Sequence, residues 1–382
     1  MKTIFVFYPH CYLKSTSTEV LVFDTLNNNK YVYINDLALS VLDKESLLKG
    51  FVCVSRTLDN FINQCVCKDL GYFLNYEDTP PYMFNRNLDI VTSLHKERRA
   101  LGYNLQSHTN ALLKEVTILL NSDTKKYHDD LCEQMEIPKY GSFIFNFNDI
   151  LNQLSSFPNL ESVILSGKIE MSQLIDTLNY TKERNIHLVH RLLFQSEDSL
   201  YSSQFLEKYE NFSIEFIVDN SINLLHFSKG INNKVYLKAI IQSTEDLSHF
   251  RNVENVIFMP VFSSKQPNMG MLNLMILSKH EILQSPQSIK DCLISDYINA
   301  NSFGRLVIDS TGFVSCMGDK IASILENDLS SIINTWINDG ECMWFYTRAK
   351  KEPCAHCALQ ALCPPISLQE KLGYYQCPCK IY

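Results

Sequence analysis

The stretch Glu115-Val-Thr-Ile-Leu-Leu120 opens a recurrence that sets the fold class. It is a short, mostly apolar run, the length of a strand buried on both faces. Comparable runs return at Ser162–Leu165, Ile186–Leu192, Ser213–Val218, Lys234–Ile241 and Val256–Val261, with starts 21 to 47 residues apart. Helical stretches fill the intervals, among them Met171–Glu183, with Leu174, Ile175 and Leu178 on one face, and Leu200–Tyr209. Strand and helix in alternation predict an α/β fold with a parallel sheet, closed or half-closed as a partial (β/α) barrel.

Outward from that core the pattern changes on both sides. Residues 1–108 read as a small α+β domain. Ile4–Tyr12 is rich in β-formers, Glu19–Asp24 is a strand, Asn27-Asn28-Asn29 a turn and Lys30–Ile34 the returning strand. A helix capped at Asn35 or Asp36 runs through Leu42, and a second starts at Thr57, burying Leu58, Phe61, Ile62 and Cys65. Gly71–Asn75 makes another short strand, and Asp78–Tyr82, with its paired prolines, a loop or edge. Residues 109–299 form the barrel. Beyond 300 the rhythm stops: Gly304–Asp309 and Gly312–Cys316 predict a β-hairpin, Ser323–Asn338 a helix, and a cysteine-rich segment closes residues 300–382.

Composition excludes several functions. Apolar residues make up 46 %, enough for a sizeable core. The net charge of −8 is uneven: residues 1–108 balance, 342–382 carry +3, and 109–341 carry −11. Without a basic stripe to follow a phosphate backbone, nucleic acid is not an expected partner. The 12 glycines include no G-x-G pair, and no Walker-type loop occurs, so nucleotides held on standard glycine-rich loops are excluded. No apolar run approaches a membrane span. Met1–Tyr8 is short, is interrupted by Pro9-His10 and has no small-residue cleavage site, so a cytoplasmic protein is expected.

Of 13 cysteines, five crowd into the last 29 residues: Cys354, Cys357, Cys363, Cys377 and Cys379. Their spacing is C-x2-C-x5-C-x13-C-x-C. C-x2-C on a tight turn presents two thiolates to one centre, a third closes a face, and a late cysteine completes four. Four thiolates suit an iron–sulfur cluster or zinc. A zinc ribbon usually pairs two C-x2-C knuckles, which this spacing fits poorly.

Three stretches carry a family resemblance. They are Phe5-Val-Phe-Tyr-Pro-His-Cys-Tyr-Leu-Lys14 with Val20-Leu-Val-Phe-Asp-Thr-Leu-Asn27, Trp344-Phe-Tyr-Thr-Arg348, and Cys354-Ala-His-Cys-Ala-Leu-Gln-Ala-Leu-Cys-Pro-Pro-Ile-Ser367 with the ending Cys379-Lys-Ile. In these the chain resembles radical SAM peptide maturases with a C-terminal SPASM domain. Among them it resembles the pseudo-radical-SAM proteins of Bacteroidales GG-type peptide-modification systems.

The resemblance implies one auxiliary 4Fe–4S cluster on Cys354, Cys357, Cys363 and Cys379, with Cys377 as the alternative fourth ligand. Loss of the cluster is then expected to unfold the tail and little else. A second cluster of the SPASM type lacks its ligands, because Ile366 and Ser367 stand where a C-x3-C step belongs and only Cys316 flanks the hairpin. The radical SAM site fails as well. Where the family has C-x3-C-x2-C, the loop after the first strand reads Asn121-Ser-Asp-Thr-Lys-Lys-Tyr-His-Asp-Asp-Leu-Cys132, and Ser166-Gly167-Lys168 replaces the Gly-Gly-Glu-type turn. No functional SAM site is expected. The N-terminal unit looks like PqqD-type winged-helix domains, which bind leader peptides by strand addition, here along Val20–Phe23 or Tyr31–Ile34.

Other constellations carry less. His187 and His190, three apart on a strand, point to opposite faces. Cys65 and Cys67 diverge on a helix. His356 inside the C-x2-C reads as solvent-facing. His128, Asp129, Asp130 and Cys132 are too close in sequence for a Cys–His nucleophile site. The expectation is therefore a non-catalytic accessory protein of ribosomal peptide maturation. It would bind a precursor peptide through its leader, an active radical SAM maturase, or both. The alternatives are a peptide-modifying enzyme with SAM-independent chemistry and a zinc-stabilised peptide-binding protein.

Overall fold

The computed structural model describes residues 2–27, 29–35, 47, 50–77, 109–121, 127–139, 145–194, 203–220, 234–251, 253, 256–262, 269–340 and 342–375. The region read as β-rich over Ile4–Tyr12 is two strands, β1 (Lys2–Phe7) and β2 (Cys11–Ser15), because Tyr8-Pro9-His10 turns the chain between them. With β3 (Glu19–Asp24), β4 (Tyr31–Asn35), β5 (Phe51–Cys53) and β6 (Gly71–Tyr76) they form two antiparallel three-stranded sheets, β5-β1-β6 and β2-β3-β4. Phe5 and Phe7 of one sheet meet Leu13, Val20, Val22 and Val32 of the other. The helix Asp59–Cys67 adds Phe61, Ile62 and Cys65 to that core. The expected helix from Asn35 to Leu42 and the loop Asp78–Tyr82 lie outside the described residues. Val20–Phe23 is not an edge: β3 is the central strand, hydrogen-bonded to β2 and β4.

The larger sheet has nine strands in the order β12-β11-β10-β9-β8-β7-β13-β14-β15. β7 (Glu115–Leu119), β8 (Ser162–Ser166), β9 (His187–Leu193), β10 (Phe212–Val218), β11 (Val235–Ile241) and β12 (Val256–Pro260) are parallel neighbours in chain order. The fold is mixed α/β with a large, mostly parallel sheet. β13 (Arg305–Ile308) pairs parallel with β7, and β14 (Phe313–Cys316) and β15 (Asp319–Ser323) follow antiparallel. The predicted hairpin is β13–β14, and it extends the parallel sheet across residue 300. The helix expected over Ser323–Asn338 is Leu329–Asp339, capped by Asp328. Its predicted first residue ends β15, whose backbone hydrogen bonds to β14 hold 319–323 extended.

Alternation gives the parallel sheet two different faces. Val116, Ile118, Val163, Leu165, Leu188, Ile214 and Leu237 pack beneath Phe147–Leu154, Met171–Glu183 and Leu329–Asp339. In Met171–Glu183, Leu174 and Leu178 are buried, whereas Ile175 is among the exposed apolar residues. The helix read over Leu200–Tyr209 spans Ser203–Lys208. The opposite face of the sheet carries Thr117, Arg191, Glu215, Ile217, Lys238 and Ile240. Among the described residues, no helix is long and apolar enough to cross a membrane.

Candidate metal centre

The cysteine segment is built from two tight turns. Cys354–His356 is a 3-10 turn in which the Cys357 N–H donates to the Cys354 carbonyl at 2.9 Å, and the Cys363 N–H donates to the Leu359 carbonyl at 3.0 Å. Cys354 and Cys363 are buried and Cys357 is half-buried. The apolar residues between them, Ala358, Leu359, Ala361 and Leu362, pack with Tyr12, Leu21 and Phe23 of the β2-β3-β4 sheet and with Ile282 and Cys292. That sheet is therefore covered on both faces, since Val20 and Val22 point into the other core. Polar contacts from several elements fasten the loop. The Ala358 N–H donates to Glu19 Oε2 at 2.8 Å, Gln287 Nε2 to the Leu362 carbonyl at 2.6 Å, and Asn299 Nδ2 to the Ile366 carbonyl at 3.2 Å.

A buried charge pair stands beside the thiols. Arg348 reaches Glu370 through two hydrogen bonds of 3.0 Å, donates Nε to the Pro364 carbonyl at 2.6 Å, and sets Nη1 at 3.5 Å from Cys354 Sγ. Burial opposes the guanidinium charge, but Glu370, with Cys363 and Cys354 adding, outweighs it and raises the Arg348 pKa. Soft sulfur donors beside a buried cation are the chemistry that a thiolate-ligated cluster uses, and three such donors lie in this loop. Cys354, Cys357 and Cys363 would hold the group. Cys377 and Cys379, the two candidates for the fourth position, lie outside the described residues. Among the described residues no three His, Cys, Asp or Glu side chains are gathered as around a single ion.

Two further cysteines lie within electrostatic reach of each other, though 26 residues separate them in sequence. Burial pushes the Cys342 thiol up to about 12. Burial, with Cys342 adding, raises Cys316 well above the ordinary thiol range. Sequence spacing gave no sign of this pairing, because only the hairpin and the chain after Leu329–Asp339 bring the two together.

The face of the parallel sheet turned away from the helices Phe147–Leu154, Met171–Glu183 and Leu329–Asp339 is covered by the chain itself. The segment after β7 folds into a helix, Asp129–Met135, that lies on this face. Its Cys132 and Met135, with Ile137, pack against Ile217, Ile240 and Val261. Gln134 donates Nε2 to the Phe262 carbonyl and accepts the Phe262 N–H at Oε1, both at 2.9 Å. Glu136 takes the left-handed conformation (φ 50°), and its carbonyl accepts from Ser166 Oγ at 2.9 Å. Next to it, Arg191 pairs with Glu136 at 3.3 Å and with Glu215 at 2.8 Å, and Lys238 pairs with Glu215 at 2.9 Å. Desolvation disfavours the Glu215 carboxylate, but Arg191 and Lys238 prevail and hold its pKa below the ordinary value. Between this network and β13 lies a void of about 70 Å³, lined by Glu115, Thr117, Arg305 and Cys316, a size for a few waters.

Gly167 shows how closely the segment after β7 approaches β8. The Lys168 N–H donates to the Asn121 carbonyl at 3.0 Å, and a Cβ on Gly167 would sit 2.6 Å from that oxygen. With φ at +110°, only glycine suits this position. His190, buried beneath, reaches the Gly167 carbonyl at 2.8 Å through Nε2, and burial lowers its pKa to about 4. His187 bonds Ser213 Oγ instead, so the two histidines form no pair. His356 is exposed beside Glu352. Cys65 is buried and Cys67 exposed. Cys132 is a core thiol whose pKa burial raises, which disfavours the reactive thiolate. Sequence reading missed the helix Asp129–Met135, although its two aspartates in the first turn are a start signal. It also missed Arg191, Glu215 and Lys238, whose charges inside otherwise apolar strands were the available clue.

Structure comparison finds similarity to SuiB of Streptococcus suis. The SuiB structure bound to the precursor peptide SuiA gives a TM-score of 0.45 at 12 % identity, covering 98 % of each chain. SuiB bound to S-adenosylmethionine gives 0.40 at 12 %, covering 98 % of this chain and 97 % of that one. A further SuiB structure gives 0.45 at 12 %, covering 98 % and 100 %. No family model matches the chain, and no curated protein matches it. The fold assignment above rests on strand order and register.

Proposed function

We propose that this chain is a non-catalytic accessory protein of ribosomal peptide maturation. It binds a precursor peptide through its leader, an active radical SAM maturase, or both, and carries one 4Fe–4S cluster on Cys354, Cys357, Cys363 and Cys379. The observation that carries the non-catalytic part is the helix Asp129–Met135. In the resemblance, the segment after the first barrel strand holds the catalytic cluster. Here that segment offers one buried thiol, and its side chains, with the Arg191–Glu215–Lys238 network, occupy that face of the parallel sheet. The peptide-binding part draws on β4, an outer strand of the β2-β3-β4 sheet among the described residues, now the better of the two strands read for leader addition. The acidic middle of the chain would steer a basic leader or partner. The setting is cytoplasmic, with the division at 1–108, 109–299 and 300–382 and neither nucleic acid nor membrane as partner.

The test combines chemistry and binding. Anaerobically reconstituted protein given S-adenosylmethionine and dithionite yields no 5′-deoxyadenosine, and clear turnover overturns the non-catalytic reading. In pull-downs the chain retains a precursor peptide or an active maturase encoded beside it. A protein that ignores both overturns the accessory role. One equivalent of zinc with no iron, after anaerobic preparation, replaces the cluster by a zinc site.

A further inference from the structure

We infer that the buried Arg348–Glu370 pair sets the reduction potential of the cluster at Cys354, Cys357 and Cys363, with Arg348 favouring the reduced state and Glu370 opposing it. The inference rests on the cluster reading above and goes beyond it, because it assigns to two residues outside the ligand set a role that mere folding does not require.

The geometry is specific. Arg348 spends its planar fork on three targets at once: both Glu370 oxygens, the carbonyl of Pro364 directly after Cys363, and the sulfur of Cys354. The guanidinium thus spans the two arms of the cysteine loop. The side chains are only 7 % and 1 % exposed, so water does little to screen either charge. Glu370 is itself held in place. Its N–H donates to Ser367 Oγ at 3.1 Å, and Lys351 Nζ stands 3.1 Å from Oε1 and 3.0 Å from its carbonyl. A pair that served only to tie Arg348 to Glu370 would not need the guanidinium turned toward a thiol.

Reduction of such a cluster adds one electron, taken from a low-potential donor, with no bond made or broken and no proton moved. The added negative charge spreads onto the ligand sulfurs. A cation at hydrogen-bonding distance from one of them stabilises the reduced form, and a carboxylate behind that cation weakens the effect. The two residues therefore act with opposite sign, whereas damage to packing would give no reason for opposite shifts.

The experiment uses the full chain, loaded anaerobically with ferrous iron and sulfide and titrated with dithionite against redox dyes, read by absorbance and electron paramagnetic resonance. R348Q lowers the potential and E370Q raises it. Each changes the ratio of reduced to oxidised cluster at a fixed poise about tenfold, which for a one-electron couple is about 59 mV. R348Q/E370Q, which removes both charges, falls between them, and R348K, which keeps the charge, stays nearer to wild type than R348Q. Iron-loaded R348Q and E370Q that shift the same way, or not at all, overturn the inference. If R348Q holds no iron, E370Q and the double variant decide. An upward shift in E370Q that the double variant cancels supports the inference, and E370Q at the wild-type potential overturns it. A wild-type chain that takes up no iron overturns the cluster reading and this inference with it, an outcome distinct from iron-loaded variants that fail to shift.

Discussion

Gln134, on the helix after β7, and Phe262, just beyond β12, exchange a pair of hydrogen bonds of 2.9 Å through the Gln134 amide and the Phe262 backbone. This contact joins residues 128 positions apart and fixes the helix on the face of the parallel sheet that carries Ile217 and Ile240. Truncating Gln134 to Ala leaves a buried N–H and a buried carbonyl without partners, at about 1–3 kcal/mol for each group left unsatisfied. Gln134→Ala therefore lowers the urea midpoint and makes Cys132 react faster with a thiol reagent. Unchanged Cys132 reactivity would mean that the helix stays seated without this contact.

Gly167→Ala tests the close approach of the segment after β7. The added methyl meets the Asn121 carbonyl at 2.6 Å and Pro138 Cγ at 2.7 Å, in a conformation that L-residues rarely adopt. The backbone cost alone is about 1–3 kcal/mol. A loss of at least that size in chemical denaturation is the expected result, and near-wild-type stability would show that the segment moves aside freely.

Stability falls on acidification partly through His190. Its pKa in the folded protein is about 4, below the unfolded value of about 6.5, so the unfolded chain binds the extra proton. The contribution is fully present above about pH 6.5 and is lost as pH falls toward 4, with an upper bound of about 3 kcal/mol. His187, also depressed, with burial the main cause, acts in the same direction. His190→Gln flattens the stability profile between those pH values in urea melts. A profile parallel to wild type would contradict the neutral, buried histidine.

The cysteine loop gives a ligand test and a coupling test. Cys354→Ala, Cys357→Ala and Cys363→Ala each abolish the thiolate-to-iron absorption of the reconstituted protein, Cys379→Ala weakens it strongly and Cys377→Ala leaves it nearly intact. A damaging Cys377→Ala with a harmless Cys379→Ala would reassign only the fourth ligand.

Removal of the metal should reach further than the tail alone, contrary to what spacing suggested. Leu359 and Leu362 of the loop pack on Leu21 and Phe23 of β3, and Glu19 accepts the Ala358 N–H. Chelation is expected to speed hydrogen exchange along Glu19–Asp24 as well as in the cysteine loop. Exchange confined to the loop would show that the sheet does not depend on the metal.

Some of this was readable in the sequence. The strands β7 to β12 were placed to within a residue or two, because each writes itself as a local, mostly apolar run, and the hairpin at Gly312 followed from its turn residues. The candidate ligands were legible for the same local reason, since C-x2-C-x5-C is a matter of spacing. Other features depended on partners distant in sequence. That β3 is central and β4 outermost among the described residues follows from pairing between strands, since both read as short apolar runs. The covered second face of the parallel sheet depends on Gln134 meeting Phe262 and on Arg191 meeting Glu136 and Glu215, contacts that no window of the sequence contains. Arg348 reads locally as one more basic side chain after an aromatic run. Only the return of the chain at Glu370 buries it, pairs it and turns it toward Cys354, because the energy of a buried charge is set by what surrounds it in space.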